Sequence, residues 1–124
     1  MREDERRAVI SALGEAAHVL MAMPVVTHNG LVTVYFNTNE GKHTNEPHFH
    51  IFDPSVHKRG AKKKKDLSAW VDIETGAVEG LLSEPVASWL EGWLPRHRAQ
   101  MMENWNTIIV KKQTEDVIKI GWNS

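Results

Sequence analysis

Histidines are concentrated in one part of the chain, and two of them are spaced for joint chemistry. Five of the seven His fall between positions 28 and 57, and His48 and His50 alternate in the apolar segment HFHIF. Alternate residues of a strand project from one face, which would place these imidazoles about 7 Å apart. Such a pair can act as general acid and base, or share a metal ion with a third ligand. Asp72, on a nearby predicted strand, could orient an imidazole or complete a metal site.

The same two histidines also have a purely structural interpretation. They would then fill a semi-polar face of a sheet, with His48 and His50 bonded to Asp72 or to backbone carbonyls and packed on tryptophan. The chain has no Cys, which excludes disulfides and thiolate zinc sites. We expect no cofactor, although the His pair could bind a divalent metal ion.

A second polar pair, His97-Arg98, lies in a predicted helix. Adjacent helical residues project about 100° apart, so one would face the sheet and the other the solvent. A guanidinium near His48 and His50 would create a pocket for a phosphate or a carboxylate. The alternative is a solvated helix cation.

A basic run forms part of the segment 53–66 and consists of Lys62, Lys63, Lys64 and Lys65. Such a run is typical of an exposed, poorly ordered loop, because nothing in it supplies enough burial to repay ordering. Alternatively it contacts nucleic acid or a protein partner, since lysine clusters neutralise phosphates without reading sequence.

Length and charge limit the remaining possibilities. A chain of 124 residues favours a single domain, and a net charge of −1 argues against a strongly basic nucleic-acid binder. No apolar run reaches the ~18 residues of a membrane helix, and the N-terminus MREDERR lacks the features of a signal peptide. We expect a cytoplasmic protein that does not bind membranes.

The first 23 residues predict a helix, from about Glu3 to Met21. Its apolar residues recur at steps of three and four: Val9, Leu13, Ala16, Leu20 and Met23. Pro24 would end it. This stripe could be buried against the domain's own sheet or pair with a second copy in a homodimer.

Residues 31–82 predict a meander of short strands. The candidates are 31–36, 48–52, 67–74 and 78–82, interrupted by the polar loops 37–46 and 53–66. Their connections are shorter than a parallel crossover needs, so the pairing should be antiparallel. This predicts an α+β fold with a three- or four-stranded, mostly antiparallel sheet.

A Trp-rich helical region follows over 84–109, with Ser83 as its N-cap. Pro95 should kink or break it, because proline cannot bond to the Glu91 carbonyl and its ring clashes there. Residues 116–122 alternate like a short strand, and Asn104 could bond to the strands or to a ligand.

Several fragments, in order, resemble the small bacterial domain known as domain of unknown function 4160. They are Tyr35-Phe36-Asn37, Pro47 to Ile51, Ala69 to Gly80 and the closing-helix set Trp93, His97-Arg98, Met101 and Asn104-Trp105. The resemblance covers about Val32 to Trp105. The N-terminal helix and the lysine loop are additions, and Gln100 stands where the family tends to have an acid.

The resemblance implies a small α+β protein associated with toxin–antitoxin pairs and working with a small cognate protein partner. Two functions follow as expectations. The first is a toxin-like effector acting on RNA or another phosphate-bearing target through His48, His50, His97 and Arg98. The second is a non-catalytic regulator or inhibitor that binds a partner through the same fold.

Overall fold

Five strands pair in the order in which they occur in the chain. The computed structural model describes residues 22–28, 32–37, 46–58, 61–113 and 117–124. The strands are β1 (Ala22–His28), β2 (Val32–Asn37), β3 (His48–Phe52), β4 (Ala69–Asp72) and β5 (Val78–Glu79). Every neighbouring pair is antiparallel. The predicted α+β class and antiparallel meander are therefore confirmed.

The predicted strand count was too low, because β1 was not foreseen. Residues 1–21 of the predicted N-terminal helix lie outside the described residues, whereas Ala22 and Met23 belong to β1. Pro24, expected to end a helix, is opposite Tyr35, next to a shift in register. An edge strand tolerates proline, because the missing N–H need not bond to a neighbouring strand.

Two of the predicted strands are shorter than expected. Residues 64–67, just before β4, form the four-residue helix α1 (Lys64–Leu67), so the strand predicted over 67–74 is reduced to Ala69–Asp72. The strand predicted over 78–82 contains only Val78–Glu79. β4 ends at the turn 73–75 and β5 ends at Gly80, which has φ +99°, and local alternation reveals neither.

One face of the sheet carries the apolar core. Its residues are 0–1% exposed and comprise Val34, Phe36, Phe49, Ile51, Val71 and Ile73. The long helix α2 (Glu84–Trp105) supplies the opposing side chains Val86, Leu90, Trp93, Leu94 and Met101. Burying such side chains contributes about 1.5–3 kcal/mol each. The alternation along β3 therefore directs Phe49 and Ile51 to α2 and the two histidines to the other face.

Of the kink or break predicted at Pro95, the break does not occur. Helix α2 runs through that residue for 22 residues and continues into a π-helical turn, Asn106–Val110. Pro95 and Glu91 are exposed, so water can reach the carbonyl that loses its helical partner. Arg96 also donates a hydrogen bond from Nη1 to the Gly92 carbonyl at 2.8 Å.

The described part of the C-terminal segment does not form the predicted strand. Residues 117–120 pair with no strand of the sheet in a regular ladder, although the Ile120 N–H donates to the Val25 carbonyl at 3.1 Å. Asn104 secures this segment: its amide donates to the Ile118 carbonyl at 2.9 Å and accepts from the Ile118 N–H at 2.7 Å. Asn104, expected to bond to the strands or to a ligand, therefore bonds instead to the backbone of Ile118 in the C-terminal segment.

Two tryptophans of α2 also contact the C-terminal segment, at residues 121 and 122. The indole of Trp89 is parallel to that of Trp122, with centroids 3.8 Å apart, and donates to the Trp122 carbonyl at 2.7 Å. Trp93 donates to the Gly121 carbonyl at 3.2 Å.

Over the described residues, no helix is long and apolar enough to cross a membrane.

Candidate functional site

His48 and His50 lie side by side on the face of β3 opposite Phe49 and Ile51, and His48 also contacts Trp105, the last residue of α2. Their ring centroids are 5.3 Å apart. In the pairing of β3 with β4, His48 is opposite Asp72 and His50 is opposite Trp70. This face therefore presents a cluster of imidazole, indole and carboxylate groups, which we call the His-Trp face: His48, His50, Trp70 and Asp72.

His48 is part of the packing of the protein. Only 1% of it is exposed, and its ring stacks on Trp70 at 4.5 Å and tilts against Trp105 at 5.2 Å. Its Nδ1 is 2.8 Å from the Glu46 carbonyl oxygen. Because a carbonyl can only accept, Nδ1 carries a proton there, and this contact fixes the orientation of the ring.

His50 is the more accessible of the two. It is half-buried, stacks on Tyr35 with centroids 5.2 Å apart, and has Nδ1 3.3 Å from the Ser68 hydroxyl. Trp70, its cross-strand neighbour, is also half-buried. Solvent and solutes can therefore approach His50, whereas the adjacent His48 is shielded.

The Asp72 carboxylate shapes the turn between β4 and β5. Its Oδ1 accepts hydrogen bonds from the N–H groups of Glu74, at 2.8 Å, and Thr75, at 2.9 Å. Gly76 then adopts φ +78°, the left-handed conformation that glycine accommodates without a Cβ penalty. One carboxylate oxygen of Asp72 is thus engaged in the backbone, although its Cα is opposite His48.

His97 and Arg98 make their contacts elsewhere. His97 has Nδ1 2.6 Å from Gln100 Oε1 and Nε2 3.0 Å from the Ser124 carbonyl oxygen. Arg98 donates from Nε to the Ile73 carbonyl at 2.8 Å. Within the described ranges, neither is hydrogen-bonded to the His-Trp face, so the structure does not gather the predicted His–Arg set into one contacting group.

No metal site is evident in the part of the chain that the structure describes. It contains no group of three or more His, Asp or Glu side chains arranged to hold an ion. The histidines of β3 therefore have no third ligand among these residues.

The lysine run combines an exposed turn with a helical one. Lys62 and Lys63 are exposed, and Lys64 and Lys65 begin α1. The Asp66 N–H bonds to the Lys63 carbonyl at 3.0 Å, and the Lys58 N–H bonds to the Asp66 carbonyl at 3.2 Å. Part of the segment expected to be poorly ordered therefore has regular backbone bonding.

Sequence reasoning missed a buried polar junction between β3 and α2. Asp53 is 1% exposed, and its carboxylate accepts hydrogen bonds from the Ser55 hydroxyl at 2.5 Å and from the Ser83 N–H at 2.9 Å. Burial raises the pKa of Asp53, but the bonds from Ser55 and Ser83 outweigh it and hold that pKa below 3.8. The signal was present, since Asp-Pro-Ser is typical of an Asx turn.

His57 completes this junction. It is 4% exposed, and its Nδ1 accepts a hydrogen bond from the Asp53 N–H at 2.8 Å. Burial lowers the pKa of His57 below 6.5, although the negative charge of Asp53 opposes the shift. The junction holds the end of β3 to the start of α2.

A groove of about 530 Å³ separates the β4–β5 turn and β5 from α2. We call it the edge groove, and its side chains include Val78, Leu81, Leu82, Leu90, Leu94 and Arg98. Val78 is 40% exposed and Leu81 is 64% exposed, which is unusual for large apolar residues in one place. Sequence analysis did not find the groove, because it forms only where the hairpin meets the helix.

Comparison of the chain with protein-family models, with curated proteins and with solved structures finds no match.

Proposed function

We propose that this protein is the partner-binding member of a toxin–antitoxin-type pair and acts by holding a small cognate protein. The observation that carries the proposal is the edge groove, a concave apolar surface with two exposed aliphatic side chains, Val78 and Leu81. Contiguous exposed apolar surface of this kind marks interaction sites. The toxin–antitoxin context comes from the resemblance in the segment Val32 to Trp105.

The polar residues support binding more than catalysis. His48 is 1% exposed and contacts Glu46, Trp70 and Trp105. A general acid or base must come within hydrogen-bond reach of a substrate, which a buried ring does not offer. Arg98 donates from Nε to the Ile73 carbonyl and, among the described residues, is not hydrogen-bonded to His48 or His50.

The test is co-expression with the product of a small adjacent reading frame, followed by size-exclusion chromatography with light scattering. We expect a stable complex that Leu81→Asp weakens, since a carboxylate would be buried in an apolar contact. Val110→Asp is the matched control, because Val110 is 65% exposed and Leu81 is 64% exposed, but Val110 lies outside the groove. No complex, or equal loss in both variants, would contradict the proposal.

A second candidate is the toxin-like effector that acts on RNA or another phosphate-bearing target. It is favoured by one observation: the half-buried imidazole of His50 lies 5.3 Å from the oriented ring of His48. RNA cleavage by the purified protein, lost in His50→Gln without a change in melting, would support it. Replacing all four lysines of 62–65 by Gln should also lower the salt dependence of RNA binding by a few units in slope. An unchanged slope would assign the lysines to solvation.

A further inference from the structure

The helix side of the edge groove is one continuous stripe. It consists of Ala87, Leu90, Glu91, Leu94, Pro95 and Arg98, spaced by three and four residues along α2. The eleven steps from Ala87 to Arg98 rise about 16 Å along the helix, which is the length of about five residues in an extended strand. The groove therefore has the length of a short extended peptide.

The other side of the groove is an open sheet edge. β5 is the last strand in the described sheet order. The Asp72 N–H donates to the Ala77 carbonyl at 2.9 Å, which directs Ala77 toward β4. Because backbone groups alternate along an antiparallel strand, those of Val78 point away from β4, toward the open edge. The Val78 side chain, paired with Val71, lies on the α2 side.

One end of the groove carries a cation whose charge has no carboxylate partner among the described residues. The Arg98 guanidinium uses Nε to bond to Ile73, and its Nη2 would be 3.9 Å from a Cβ at Gly76. Its remaining N–H groups lie at the end of the groove formed by Thr75 and Gly76. A guanidinium in this position suits a carboxylate, which it can bind through two parallel hydrogen bonds.

The direction of β5 determines which end of a peptide would meet Arg98. The chain passes from Gly76, beside Arg98, into β5 and onward to Leu81. β5 therefore runs away from Arg98, and a strand added antiparallel to it would run toward Arg98. Such a strand would bring its C-terminal carboxylate to the guanidinium.

We infer that the edge groove binds the C-terminal segment of the partner protein as a sixth, antiparallel strand. Alternate apolar side chains of the segment enter the groove, and its terminal carboxylate binds Arg98. The exposed carboxylate of Glu91, midway along the helix side, disfavours acidic residues in the middle of the segment. β5 has only two residues, so the apolar contacts and the carboxylate carry much of the affinity. This inference rests on the proposed partner-binding function.

The probe is a synthetic peptide, Gly-Ser-Lys-Val-Thr-Leu-Thr-Val, labelled with fluorescein at its N-terminus and measured by fluorescence anisotropy. The matched probe is the same peptide with a C-terminal amide. We expect saturable binding of the free-acid peptide, weakened about tenfold by the amide, because a charge-assisted bidentate contact is lost. Arg98→Gln should lower the affinity for the free-acid peptide to that for the amide peptide, and should leave the affinity for the amide peptide unchanged. Leu81→Asp should weaken both peptides, and Val110→Asp neither.

Equal affinity for the acid and amide peptides, or no saturable binding of either, would overturn the inference. A dimer of this chain in sedimentation equilibrium that Leu81→Asp dissociates would also overturn it, since a second copy would then occupy the groove. If the product of the adjacent reading frame still binds after loss of its last five residues, the inference fails while the proposed partner binding stands. If that truncation abolishes the complex and Arg98→Gln weakens it, both hold.

Discussion

His48 and His50 should respond differently to the same substitution, although they lie on one face of one strand. His48→Gln removes a ring that is 1% exposed, stacked on Trp70 and bonded to the Glu46 carbonyl at 2.8 Å. His50→Gln removes a half-buried ring with a 3.3 Å contact to the Ser68 hydroxyl. Glutamine keeps polarity and approximate length but removes proton transfer near neutral pH.

The magnitudes follow from these contacts. At His48, the hydrogen bond contributes about 1 kcal/mol, the stack about 0.5–1.5 kcal/mol, and incomplete filling of the site costs about 1 kcal/mol more. We expect His48→Gln to lower the free energy of unfolding by about 2–4 kcal/mol. For His50→Gln we expect about 1 kcal/mol or less, because a partly exposed site rehydrates. In a chain of 124 residues, the first change lowers Tm by about 10 °C.

The assay is urea unfolding followed by tryptophan fluorescence, with thermal melting and growth inhibition measured on the same two variants. Loss of growth inhibition in a stable His50→Gln variant would assign His50 to an effector site. Loss of growth inhibition in His48→Gln alone, together with its lower Tm, would assign His48 a structural role. Equal destabilisation by both substitutions would refute the reasoning, because it depends on their different burial.

Two further predictions concern stability. Asn104→Leu should lower the free energy of unfolding by about 2–4 kcal/mol, because both backbone groups of Ile118 lose their partner. The control Asn106→Leu, on the exposed side of the same turn, should change that free energy by no more than about 0.5 kcal/mol, as measured by urea unfolding. The pKa of His57 is lowered below 6.5 by burial, so the unfolded chain binds more protons than the folded chain just below pH 6.5. The contribution of His57 to the free energy of unfolding is therefore complete above pH 6.5 and declines as the pH falls below it. Urea unfolding at several pH values should therefore show a smaller acid loss in His57→Gln than in the wild type, with His97→Gln as control; an identical loss in all three would contradict this role.

The histidine arrangement illustrates the limit of local reasoning. The period of two in HFHIF is enough to put His48 and His50 on one face and Phe49 and Ile51 on the other. It does not say which ring is buried, because that depends on Trp70 and Trp105, which come from distant parts of the chain. Asp72 is opposite His48, yet its carboxylate is used by the following turn.

Proline placement shows the same limit from the backbone. Pro24 and Pro95 both predict an interruption, because proline lacks an amide and restricts its neighbours. Pro24 instead lies in the edge strand β1, and Pro95 lies on the exposed side of α2. The missing amide is tolerated at Pro24 because β1 is an edge strand, and at Pro95 because the helix is exposed to water there. Both conditions are properties of the folded molecule.

The sequence alone therefore determined the α+β class, the antiparallel order of strands and the face of β3 that carries the histidines, because these follow from the alternation of apolar residues and from short connections. Only the tertiary structure decided that Asn104 holds Ile118, that Asp53 joins β3 to Ser83, and that the edge groove opens beside Arg98. These features depend on segments that are 14 to 30 residues apart in the chain and meet only when α2 packs on the sheet.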